Sequence, residues 1–81
     1  MARIPRGHRM SALDHEPEAV TYARKKAQLS QAQVAQQLGK SISLISEIEK
    51  GTRNATPETL AQLAQIFNCP LVVLERKRWT A

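Results

Sequence analysis

A chain of 81 residues has room for one small domain with a thin core, and its formal net charge of +5 suits a polyanion without naming one. A single cysteine, Cys69, excludes an internal disulfide, His8 and His15 stand too far apart to suggest a metal, and no apolar run approaches the roughly 20 residues of a membrane span. One Phe, one Tyr and one Trp are too few for a platform that stacks single-stranded nucleic acid.

From residue 1 to about His15 the chain has no helical or strand period and carries Arg3, Arg6, His8 and Arg9, so it reads as a flexible basic arm. It lacks the apolar stretch of a secretory signal, and the expected compartment is the reducing cytoplasm. Residues 16–75 read as the folded domain and 76–81 as a basic tail. Pro17, flanked by Glu16 and Glu18, suits the start of a first helix with the stripe Val20, Ala23 and Ala27. Arg24 falls inside that stripe and needs a partner there. Ser30 caps a second helix with Val34, Ala35 and Leu38 on its buried face, and Gly39 ends it. Ser41 caps a third, about Ser41 to Lys50, with Ile45 and Ile48 inward, Glu49 beside them and Gly51 as its stop. Thr56-Pro57-Glu58 opens a fourth, whose Leu60, Leu63, Ala64 and Phe67 repeat at i, i+3, i+4, i+7. Asn68 and Pro70 break it, and Pro70 opens a fifth with Leu71 and Leu74 facing the core. Nothing alternates with period two, so no sheet is expected.

Two short amphipathic helices joined around Gly39 have the spacing of a helix-turn-helix, whose second helix enters a DNA major groove. Ser30-Gln31 opening a helix, Val34-Ala35, Leu38-Gly39, Ser41, Ile45, Ile48 and Glu49-x-Gly51 together resemble the family of phage repressors, Cro-like regulators and xenobiotic-response-element regulators. The resemblance covers roughly Val20 to Leu74 and implies an all-α, compact five-helix bundle, a repressor-like DNA-binding domain. Two features depart from the family pattern. Lys40 occupies a turn position that is usually apolar, and the recognition helix starts Ile42, Ser43, Leu44 where the family often has long polar side chains.

The resemblance also implies roles. Arg24 and Glu49 match positions that form a partly buried ion pair between the first and third helices, orienting the latter. Gln31, and with it Gln33, matches a phosphate contact at a helix N-terminus. Ser43, Ser46 and Glu47 match positions that touch base edges, with Glu47 able to accept from a cytosine N4. Ile42 and Leu44 can only pack on thymine methyls, and each has a structural alternative, core packing in the case of Ile42. Lys40, Lys50, Thr52, Arg53 and Asn54 ring the third helix as a phosphate clamp, and the cap residues Ser30 and Ser41 belong with them. Arg3, Arg6 and Arg9 read either as a solvated tail or as a minor-groove arm. Cys69 reads as a small hydrophobe at a helix corner rather than a reactive thiol.

Val72, Val73 and Trp79 remain outside the core pattern. They suggest a two-fold homodimer placing two half-sites about one helical turn (~34 Å) apart, or a Trp79 that folds back on its own core. The function expected is a small transcription regulator of double-stranded DNA, a repressor on an inverted-repeat operator. A variant is an activator touching RNA polymerase through Glu47. The alternative is an antitoxin-type module whose tail binds a partner protein. No catalytic set, cofactor site, metal site or small-ligand pocket can be assembled from these residues, so no enzyme is expected.

Overall fold

The computed structural model describes residues 13–76, which hold five helices. α1 (Pro17–Lys26) starts on a proline, whose missing N–H needs no partner, and ends on Arg24, Lys25 and Lys26 at the negative end of its dipole. α2 (Gln31–Leu38) opens on a reciprocal box. The Ser30 hydroxyl accepts from the Gln33 N–H at 3.0 Å, and the Gln33 side chain accepts from the Ser30 N–H at 2.8 Å. Gly39 stops it at φ 77°, letting the N–H groups of Gly39 and Lys40 both reach the Ala35 carbonyl. α3 (Ile42–Lys50) is capped by Ser41, whose hydroxyl accepts from Leu44 N–H at 3.1 Å, and stops at Gly51 with φ 83°. α4 (Pro57–Phe67) is capped by Thr56 and stops at a left-handed Asn68, and α5 (Leu71–Leu74) is a single turn.

The core takes one or two side chains from each stripe: Val20 and Ala23 of α1, Val34 and Ala35 of α2, Ile45 and Ile48 of α3, and Leu74 of α5. α4 contributes four, Leu60, Leu63, Ala64 and Phe67, as its unbroken periodicity requires. α3 lies against α1 and α2, α4 covers α2, and α5 closes on α1 and α4. Each fully buried aliphatic of this set contributes about 1.5–3 kcal/mol relative to exposure. Among the described residues no helix is long and apolar enough to cross a membrane and no group of side chains could hold a metal.

Two expectations are corrected. His15, read as part of a flexible arm, is fully buried. Its Nε2 donates to the Ile48 carbonyl at 2.8 Å, which also accepts from Gly51 N–H at 3.2 Å, and its Nδ1 accepts from the Ala55 N–H at 3.3 Å, so the imidazole gives the last turn of α3 a second bond and pairs a donor of the following loop. The domain therefore starts at least at Asp14. Residues 14–16 run antiparallel to residues 74–76: Glu16 N–H donates to Leu74 O at 2.9 Å, Arg76 N–H to Asp14 O at 3.1 Å, and His15 and Glu75 form an isolated bridge. Leu71, expected inside, is exposed, while Leu74 is buried. α5 is one turn packed on α1 and α4, and its far end rather than its start meets the core, so Leu71 stays at the rim.

Candidate nucleic-acid interface

The helix-turn-helix is α2, the turn Gly39–Ser41, and α3. Three contacts hold α3 besides its apolar face. Arg24 Nε donates to Glu49 Oε2 at 2.7 Å and Nη2 to Oε1 at 3.2 Å, while Nη1 donates to Leu29 O at 2.8 Å. Gln31 Nε2 donates to Glu49 Oε1 at 3.0 Å. His15 holds Ile48 from the other side. Glu49 thus receives α1 and α2 on one carboxylate. Its burial pushes the carboxyl upward, but the hydrogen bonds from Arg24 and Gln31, the Arg24 charge and a bond from Thr21 outweigh it, and the group lies below its ordinary range.

With Ile45 and Ile48 inward, the roughly 100° step of a helix turns Ser43, Ser46, Glu47 and Lys50 outward. Ser43 and Lys50 are exposed, Ser46 and Glu47 half-buried. Ile42 is 51% exposed, which leaves it on the outer surface rather than in the core. Leu44 is partly buried against the core cluster. That contact supplies the structural alternative for this residue.

The residues expected on phosphates divide in three. Lys40, Lys50 and Thr52 are exposed around α3. Ser30, Ser41 and Gln33 sit at the helix starts as caps, and Gln31 gives one amide hydrogen to Glu49 and keeps another. Asn54 and Arg53 have protein partners. Asn54 Nδ2 donates to Asp14 Oδ2 at 3.0 Å and its Oδ1 accepts from Asp14 N–H at 2.7 Å. Arg53 Nε donates to Glu47 Oε1 at 2.7 Å, a pair between two half-exposed side chains.

Val72 and Val73 are exposed on α5. Trp79 and the arginines Arg3, Arg6 and Arg9 lie outside the described residues. Sequence reasoning passed over Tyr22, which is 64% exposed on α1 and lines, with Lys26, Phe67, Cys69 and Val73, a groove between α1 and the corner where α4 passes into α5. Its position off the Val20–Ala23–Ala27 stripe was the available signal. Burial pushes the Cys69 thiol up, away from a reactive thiolate.

A helix-turn-helix family model matches residues 20–74 of the chain. None of the curated proteins compared with it gives a match. Helix-turn-helix is a DNA-binding family and not a family of enzymes.

Proposed function

Because the chain belongs to the Cro-like and phage-repressor helix-turn-helix family of DNA-binding transcription regulators, we propose that it represses transcription by binding, as a homodimer, an inverted-repeat operator in double-stranded DNA. The observation that carries this reading is an α3 braced on its inner side by Arg24, Gln31 and His15 while its outer side stands exposed among cations. A rigid helix with one free polar face is what groove reading needs, since base contacts require placement to within about half an ångström.

In the complex, Ser43, Ser46 and Glu47 face base edges and Ile42 packs on a thymine methyl. Lys40, Lys50 and Thr52, with the helix starts at Ser30, Gln31, Gln33 and Ser41, meet phosphates and set the register. Serines read bases weakly, so DNA shape and two-fold symmetry contribute part of the specificity. Val72 and Val73 form the contact between subunits, and occlusion of a promoter then needs no further domain. The apolar groove at Tyr22 and Val73 favours a second reading, a partner protein of the antitoxin type docked there.

In vitro selection from random duplex DNA tests the proposal. The expected product is an inverted repeat with half-sites centred about one helical turn apart. Recovery of sequence with no consensus rejects it. A monomer in sedimentation that co-purifies with a second protein supports the partner reading instead.

A further inference from the structure

The Arg53–Glu47 contact is not explained by stability. An ion pair between half-exposed side chains contributes little, on the order of 0–1 kcal/mol at most in general. Yet both sides of Arg53 are anchored. Thr52 is tied back to Glu47 itself, its N–H donating to the Glu47 carbonyl at 3.0 Å and its hydroxyl at 3.4 Å. Asn54 is tied twice to Asp14. The loop therefore presents the guanidinium from a fixed backbone to a carboxylate on the outer face of α3.

A lone carboxylate at that place is a poor DNA contact, because neighbouring phosphates repel it and its long side chain is free to turn away. Bound by Arg53, it becomes part of a neutral pair with a defined direction. Arg53 uses one oxygen, Oε1, and a carboxylate has about four acceptor sites, so capacity remains for a second donor. An acceptor with nothing to donate discriminates among bases. In the major groove cytosine presents N4–H₂, guanine and thymine present acceptors, and adenine sets its N6–H₂ beside an N7 acceptor that repels a carboxylate. Cytosine is the base such a pair selects.

We infer that Arg53 is a positioning residue: it holds the Glu47 carboxylate toward the major groove so that Glu47 requires a cytosine at one position of each half-site. Arg53 thus acts on specificity rather than as one more phosphate contact. The inference rests on the reading that α3 enters a major groove.

The test is selection followed by binding measurements over a salt series, using the full chain and its Arg53→Ala, Arg53→Lys, Glu47→Ala and Glu47→Gln variants. For the wild type, replacing the selected C·G pair by T·A weakens binding roughly 5- to 150-fold. Glu47→Ala and Arg53→Ala both lose that preference, Arg53→Lys keeps part of it, and Glu47→Gln shifts it toward adenine. The melting temperature of Arg53→Ala stays that of the wild type, since the side chain is exposed. The inference is overturned if Arg53→Ala weakens all sequences alike, keeps the cytosine preference and lowers the salt slope by about 0.9 per subunit, which is the signature of a phosphate contact. It is equally overturned if the wild-type consensus is indifferent to Glu47→Ala. A wild type that selects no consensus at all overturns the groove-binding reading, and this inference with it, and is distinct from either of those results.

Discussion

The imidazole of His15 and the carbonyl of Ile48 lie 2.8 Å apart, across 33 residues of chain, and through them the segment before α1 is fastened to the last turn of α3. The same ring accepts from the Ala55 N–H, so a single tautomer, protonated on Nε2, serves both backbone groups. Replacing His15 with leucine leaves the buried Ala55 N–H without its partner and the Ile48 carbonyl with only the longer bond from Gly51 N–H at 3.2 Å. The expected loss is roughly 1–3 kcal/mol of stability, read from urea unfolding. A His15→Leu variant as stable as the wild type would show that the tie contributes nothing.

The Arg24–Glu49 pair makes a second expectation. Its side chains are 13% and 6% exposed, so removing only the cation leaves a nearly buried carboxylate uncompensated. Arg24→Met should cost roughly 3 kcal/mol, while the double variant Arg24→Met/Glu49→Met should recover most of the loss. Calorimetry of the three proteins checks both.

The same pair gives stability a pH dependence of known sign. Glu49 titrates lower in the folded chain than in the unfolded one, because Arg24 and Gln31 outweigh its burial. Its stabilising contribution is therefore fully present above the ordinary carboxylate range and is lost as pH falls through the lowered folded value. Glu49→Gln should show a flatter decline in melting temperature on acidification. A decline as steep as the wild type's would place the acid sensitivity elsewhere.

Gly39 and Gly51 both stand in the left-handed region, but they are not equivalent. A Cβ at Gly39 meets nothing within 4 Å, whereas one at Gly51 would come 3.2 Å from Pro17 Cγ. Each alanine variant carries the conformational penalty of roughly 1–2 kcal/mol, and Gly51→Ala should exceed Gly39→Ala by the cost of shifting α1. Gln28, at φ 62°, bears the same strain natively, so Gln28→Gly should gain several tenths of a kcal/mol. Thermal unfolding ranks all three.

Val72 and Val73 are exposed at 68% and 42%, so aspartates there leave the fold intact. If α5 joins two subunits, Val72→Asp/Val73→Asp should be monomeric in sedimentation. It should bind a full operator on the order of 100-fold more weakly, with binding to a single half-site unchanged. A dimer that survives the change would move the interface off α5.

Local chemistry made most of the fold legible in the sequence. Ser30, Ser41 and Thr56 mark helix starts, and Gly39, Gly51 and Asn68 mark stops, because capping and left-handed turns are settled within four or five residues. The stripes of α2 and α4 name their own buried positions. A charge on an apolar stripe singled out Arg24, and the family resemblance supplied Glu49 as its partner. Contacts between distant segments were beyond that reach. His15 lies in a stretch with no period, and only the packed bundle brings it to Ile48 and Ala55. Leu71 and Leu74 look alike in the chain, and only the way α5 docks on α1 and α4 leaves the first at the surface and buries the second. Arg53 and Asn54 are two adjacent polar residues that read alike as phosphate contacts. The loop turns one to Glu47 and the other to Asp14, since a side chain's partner is decided by where the backbone sets it and not by its type. Five short helices, and the buried faces of the first four, follow from local chemistry alone, because caps, stops and apolar spacing act within a few residues. Packing between distant segments added His15 and Gln31 to the Arg24–Glu49 brace of α3 and turned Arg53 to Glu47 on its outer face, since such partners depend on where the folded backbone sets them.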